Sequence, residues 1–252
     1  MSDRMMLKIG GSVITDKSGD CAINLGQLAS IATAVAGCRM TGLVIVHGAG
    51  SCGHPEAKRY RLDRGATAGH AEGIAVTHHA VSRLNAAVVE ALREQGVEAA
   101  GIHPFHAAFA DGGRLVGFEH RHLEQMLLLG MVPVIHGDVV MDCARGACIV
   151  SGDQLVRYLA PLLAMSRVGI ATDVPGVLDV GAVVPVITPA SVRKLQIGIS
   201  SHTDVTGGMR GKINELLDLA RAGVGSEIFH VSRIPDFLSG RDCGGTKVSA
   251  RK

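Results

Sequence analysis

Four stretches of this chain combine glycine, serine or threonine with a basic or acidic side chain, and each suits the handling of a phosphate group. The first is Lys8-Ile9-Gly10-Gly11-Ser12, followed by Lys17. Paired glycines let a backbone come close to a ligand and turn N–H donors toward phosphate oxygens. Lys8 lies inside an apolar run, so it needs an anionic partner or must snorkel to solvent, because an unpaired buried charge is costly. The second is Val46-His47-Gly48-Ala49-Gly50-Ser51-Cys52-Gly53-His54. Its G-x-G-x-x-G spacing after an apolar run suggests a dinucleotide site. That fingerprint wants a second strand ending in Asp or Glu about twenty residues on. Residues 55–73 are polar and irregular instead, so the glycines read as a backbone cradle for a phosphate. His54, just past the cradle, can donate to a phosphate oxygen or can simply cap and pack.

The third stretch is Ser151-Gly152-Asp153-Gln154. Ser151 suits a helix N-cap, and Asp153 in the first turn suits the helix dipole. The other reading has Asp153 orienting lysines by ion pairing. The fourth is Thr203-Asp204-Val205-Thr206-Gly207-Gly208-Met209-Arg210-Gly211-Lys212. A glycine pair opening a helix leaves free N–H groups and the positive dipole end toward an anion. Lys212, about one turn in, either reaches that anion or is a surface lysine on a capped helix. The P-loop spacing is absent, and so is the G-x-S-x-G elbow that would make Ser51 and His54 a hydrolase pair.

Apolar runs of strand length alternate with helical patterns and would carry these stretches. Strands are expected at 6–9, 43–47, 97–102, 132–135, 168–171 and 227–231. Helical spacing marks 25–36, 74–95, 123–129, 152–165 and 209–222. Strands that are apolar throughout are buried on both faces, as in a parallel sheet covered by helices. Repeated strand-then-helix order predicts a three-layer α/β/α sandwich with a mostly parallel central sheet. Ligands bind such sheets at the carboxyl ends of the strands. The clusters Gly10–Gly11, Gly48–Ala49–Gly50, Gly137–Asp138 and Thr172–Asp173 should therefore gather along one edge. Residues 1–252 read as one domain, with a soft lobe boundary near 160–167.

Composition narrows the function class. The chain has 252 residues, 47% of them hydrophobic, enough for a sizeable core. Aromatics make up 3% and Trp is absent, which argues against a stacking surface for nucleic acid. A net charge of +2 is too small for bulk binding of nucleic acid or membrane. The six cysteines show no C-x-x-C pair and read as reduced thiols of a cytoplasmic protein. No zinc site is expected. Residues 5–14 read as strand and turn, not as a secretory leader, and no apolar run is long enough to span a bilayer.

Six stretches carry a resemblance to a known family. They are 7–15 with Lys17, 47–55, 130–140, 151–155, 172–177, and 203–209 with Lys212. In this order they resemble the isopentenyl phosphate kinases, a branch of the amino acid kinase superfamily, and their fosfomycin kinase relatives. The G-G-S start and the T-D-x-x-G-V stretch are shared across the superfamily. The cradle ending in Gly53-His54, joined to T-D-V-T-G-G-M, is more specific. Two departures stand out: Cys52 replaces a usual Phe, and 178–185 is shorter than the family's segment.

The resemblance implies the amino acid kinase fold, with an acceptor-binding lobe over about 1–160 and a nucleotide-binding lobe over about 161–252. It implies transfer of the γ-phosphoryl group of ATP, with Mg²⁺, to isopentenyl phosphate by a cytoplasmic homodimer. Lys8 and Lys212 would hold the β- and γ-phosphates, and Lys17 would neutralise the transferring group. Gly10, Gly11 and Gly50 would donate N–H bonds, and Asp153 would orient the lysines. His54 would grip the acceptor, with Ala49, Gly53 and Gly137 lining that end. Thr172, Asp173 and Gly207 would sit by the nucleotide. The apolar tail would lie near Ile74, Thr77 and His78. A same-fold kinase with another acceptor, or a non-catalytic nucleotide-sensing module, remains the alternative.

Overall fold

The computed structural model describes residues 4–16, 21–38, 41–195 and 208–250. Its main sheet has eight strands in the order β12-β14-β13-β9-β1-β2-β6-β3. In chain order these are β1 (Met5–Ile9), β2 (Leu43–His47), β3 (Ala99–Ile102), β6 (Val132–His136), β9 (Arg167–Thr172), β12 (Val186–Ile187), β13 (Ser226–His230) and β14 (Thr246–Val248). All neighbouring pairs are parallel except β13 with β14.

Residues alternate along each strand between two apolar cores, which is what makes three layers. One core joins Met6, Val46, Ile135 and Ile170 to helices α7 (Gly152–Leu162) and α8 (Gly208–Arg221). The other joins Leu7, Ile45, Val134 and Phe229 to α2 (Leu25–Gly37), α4 (Ala71–Glu94) and α9 (Ile234–Leu238). Among the described residues the remaining α-helices are α1 (Gly11–Ile14), α3 (Gly50–Arg59), α5 (Pro104–Ala107) and α6 (Arg121–Leu128).

A second sheet, in the order β5-β4-β7-β8, has no counterpart in the sequence expectations. It consists of β4 (Ala108–Asp111), β5 (Arg114–Phe118), β7 (Asp138–Asp142) and β8 (Gly146–Val150). Gly137 alone separates β6 from β7, so the chain passes from one sheet to the other at a single residue. Asp142 secures both hairpins, accepting from the amides of Gly112, Gly113, Ala144 and Arg145 at 3.1, 2.6, 2.9 and 2.8 Å. The short segment after Val177 forms the hairpin β10 (Leu178–Asp179) and β11 (Ala182–Val183).

Two further expectations are corrected. Residues 55–73 are not irregular throughout, because α3 runs through Pro55 and two 3₁₀ turns follow at Leu62–Arg64 and Ala68–His70. Burial of Cys52, Gly53 and Ala57 outweighs the poor local helix propensity there. The cysteines are not all reduced: Cys21 and Cys52 form a disulfide, while Cys38, Cys143, Cys148 and Cys243 are free. The isolated bridge between Thr15 and Ile23 brings the chain back past α3 and places Cys21 against it.

Candidate active site

The strand ends converge as parallel-sheet geometry requires. Past their last paired residues the ladder continues in three backbone bonds: Gly10 N–H to Ala171 O at 2.9 Å, Gly48 N–H to Ile9 O at 3.0 Å, and Gly137 N–H to His47 O at 3.0 Å. The Gly10 amide is thus spent inside the fold and does not face a ligand, contrary to the sequence expectation. Its neighbour explains the glycine pair. A Cβ on Gly11 would lie 2.3 Å from the Gly50 nitrogen, and one on Gly48 2.6 Å from the Gly11 nitrogen. The two loops touch backbone to backbone, and no side chain fits between them. Gly50 has φ of +53°, a conformation that favours glycine, and a Cβ there would strike Thr15. Thr15 fastens the pair: its hydroxyl donates to Gly11 O at 2.9 Å and accepts from Ser51 N–H at 3.0 Å.

Beside this double loop sits a buried ionic group. Lys8 is 4% exposed on β1 and Asp153 is 7% exposed in the first turn of α7. The Lys8 ammonium lies 3.1 Å from Asp153 Oδ1, and the Lys212 ammonium of α8 lies 3.1 and 2.9 Å from the two carboxylate oxygens. Ser151 caps α7 as expected, accepting from Gln154 N–H at 3.1 Å. Gly152 leaves room for the lysine, since a Cβ there would be 3.3 Å from Lys8 Cε. Burial lowers the Lys8 pKa to about 8, offset in part by Asp153 and reinforced by Lys212. Burial acts to raise Asp153, but the ammonium groups of Lys212 and Lys8 outweigh it and hold the carboxylate at about 2. One carboxylate therefore serves two cations, leaving net positive charge next to the glycine loops.

The other expected residues fall into different roles. Gly53 lets α3 close on α4: a Cβ would meet Ala49 Cβ at 2.6 Å and Val81 Cγ1 at 2.7 Å. His54 follows it on α3, half-buried, one turn past Gly50. Thr172 ends β9 with its hydroxyl donating to Val174 O at 2.8 Å, so it shapes the turn that presents the exposed Asp173. Lys17 and Gly207 lie outside the described residues, as does 203–206. A cavity of about 740 Å³ opens between α3 and α4, walled by Ser51, Cys52, Pro55, Val76, His78 and Phe105. Of the three residues expected near an apolar tail, His78 lines it and Ile74 and Thr77 do not; Ile74 packs instead with Leu62 and Val139.

The Amino acid kinase family matches residues 3–230. The chain belongs to the amino acid kinase family. Among its relatives is the isopentenyl phosphate kinase of Haloferax volcanii, 40% identical over 242 residues, covering 95% of this chain and 96% of the relative. The isopentenyl phosphate kinase of Methanothermobacter thermautotrophicus is 37% identical over 268 residues, covering 98% and 99%. A crystal structure of an isopentenyl phosphate kinase superposes with a TM-score of 0.86 at 34% identity, covering 97% of this chain and 99% of that one.

Residues beside the expected site that the sequence analysis gave no role include Thr15, Gly152, His47 and His136, which lie inside the motif stretches, and Asn85 and His103, which lie outside them. A signal for the histidines exists in retrospect: two all-apolar strands, Leu43–His47 and Val132–His136, each end in one. Among the described residues no group of three or more His, Cys, Asp or Glu side chains is arranged to hold a metal ion. No described helix is long and apolar enough to cross a membrane.

Proposed function

We propose that this chain is an ATP-dependent isopentenyl phosphate kinase, converting isopentenyl phosphate to isopentenyl diphosphate. The observation that carries this reading is the pair of ammonium groups held on Asp153 beside the touching glycine loops. The acceptor is already an anionic phosphate oxygen, so no general base is needed. The physical difficulty is bringing two anions together, and catalysis is positioning plus charge stabilisation. Lys8 and Lys212 hold the β- and γ-phosphates, with Lys17 on the transferring group. Asp153 keeps the two lysines facing one point. A phosphate would lie beside the touching Gly11 and Gly50 loops, where no side chain stands between it and the backbone amides. Mg²⁺ would come with ATP and neutralise phosphate charge, which suits a site whose buried Asp153 carboxylate is already shared by Lys8 and Lys212.

His54 grips the acceptor phosphate, with Ala49 and Gly137 at that end and Asp173 and Gly207 toward the nucleotide. The acceptor lobe spans about 1–160 and the nucleotide lobe about 161–252, joined by the Lys212–Asp153 contact across them. The cavity between α3 and α4 is within the size range of small-molecule sites and would accept a five-carbon tail. A cytoplasmic homodimer belongs to the same reading and is supported by the family resemblance. The test is a panel of acceptors with Mg-ATP: isopentenyl phosphate, fosfomycin, carbamate, an amino acid carboxylate and a nucleoside monophosphate. Turnover is expected with isopentenyl phosphate. Preference for another acceptor by a factor of ten or more, about 1.4 kcal/mol, refutes the assignment.

A further inference from the structure

Behind the glycine loops lies a buried polar relay that the proposed chemistry does not use. His47 ends β2 and His136 ends β6, side by side in register, their rings stacked 5.6 Å apart and both fully buried. His47 Nδ1 is 3.0 Å from Gly48 O, and His136 Nδ1 is 3.1 Å from Gly137 O. A carbonyl oxygen only accepts, so each Nδ1 carries the proton and each Nε2 is an acceptor. Those acceptors are both filled. Asn85, buried in α4, donates from Nδ2 to His47 Nε2 at 3.1 Å and to Val134 O at 3.2 Å. His103 Nδ1 donates to His136 Nε2 at 2.8 Å. The direction of every bond follows from a backbone carbonyl at its end. Burial holds His47 at about 4 and His136 at about 3, so both stay neutral at ordinary pH.

The relay has a geometric consequence. A trans peptide places its N–H opposite its C=O. With the Gly48 carbonyl turned to the His47 ring, the Ala49 N–H points the other way, at the start of α3. Polar groups inside an apolar sheet are costly unless fully paired, and a paired network makes one arrangement rigid. Gly101 completes the fit, because a Cβ there would lie 2.3 Å from Asn85 Oδ1.

We propose that Asn85 and His103 are positioning residues for the acceptor phosphate: Asn85 holds the His47 ring that locks the Gly48 carbonyl and so aims the Ala49 amide toward the acceptor, and His103 holds the His136 ring that stacks on His47. This rests on the kinase reading above. Two measurements test it. Long-range ¹H–¹⁵N spectra of the wild-type protein should show His47 and His136 as Nδ1–H tautomers, the less common form of free histidine. Finding the Nε2–H tautomer at both overturns the relay whatever the acceptor is. In Asn85→Leu, which keeps the buried volume, the KM for isopentenyl phosphate should rise about 10- to 100-fold, as expected for lost alignment, with the KM for ATP unchanged. His103→Phe should move the same constant in the same direction. A merely structural role would lower active fraction and leave both KM values alone, and that result in both variants refutes the proposal. Wild type inactive on isopentenyl phosphate but showing the Nδ1–H tautomers would refute the kinase reading and leave the relay standing.

Discussion

Replacing Asp153 with asparagine keeps the shape of the side chain and removes the charge that two lysines share. At an effective dielectric of about 20, unit charges about 3 Å apart interact by roughly 5 kcal/mol, and each lysine loses that term. Water entering the site would return part of it. If about half is lost, Lys8 deprotonates about two pH units lower than in the wild type. Wild-type Lys8 titrates at about 8, so phosphoryl transfer should fall above that pH as the ammonium is lost. Stability should not fall with it. The folded Lys8 pKa lies below the ordinary lysine value of 10.5, so folding penalises its charged form, and that penalty is relieved as pH rises from about 8 to 10.5.

In Asp153→Asn the alkaline limb should therefore move down through neutrality, and the lost ammonium charge on Lys8 should lower turnover at pH 7 about tenfold. The fold should lose about 3–5 kcal/mol, the usual cost of leaving buried charge uncompensated. The assay is ADP release at saturating substrates from about pH 6 to pH 10, with a thermal melt at each pH. An alkaline limb in Asp153→Asn that coincides with the wild-type one would refute the claim that this carboxylate sustains the charge on Lys8.

The remaining predictions concern neighbouring features. Acid should cost stability through Asp153: its contribution, roughly 2 kcal/mol, is complete above the ordinary carboxylate pKa of 3.8 and lost as pH falls through about 2, which acid titration of the melt would follow. Gly11→Ala drives a Cβ to 2.3 Å from the Gly50 backbone, so it should cost about 1–3 kcal/mol and abolish most turnover; kinetics and melting both at wild-type values would contradict the touching loops. The Cys21–Cys52 disulfide closes a separation of 31 residues and should contribute about 3–4 kcal/mol, so Cys52→Ala and added reductant should lower the melting temperature alike. Titration of six free thiols in the unreduced native protein would exclude the bond. His54→Ala should act mainly on acceptor binding and Lys212→Ala mainly on turnover, which a comparison of KM with kcat for each variant decides.

Much of this architecture was legible in the amino-acid order because its signals are local. An all-apolar run such as Leu43–His47 declares a doubly buried strand, and Ser151 three residues before Gln154 declares a helix start. From strands of that kind followed the parallel sheet, its carboxyl edge and the gathering there of the Gly10–Gly11, Gly48–Gly50, Gly137–Asp138 and Thr172–Asp173 clusters. The second sheet escaped because its strands are short and its apolar runs, such as Val139–Met141 and Ala147–Val150, are only three or four residues long and lie between polar or glycine residues that read as turns. Contacts between distant segments were also hidden. The ion pairing of Asp153 with lysines was an expectation, but that Gly11 abuts Gly50, that Cys21 meets Cys52, and that Asn85 reads out the ring of His47 are pairings across the chain that no local signal gave. Residue type states what a side chain can do, and periodicity states which face it occupies. Which partner it meets depends on how helices and strands far apart in sequence are packed, and only the assembled fold fixes those distances.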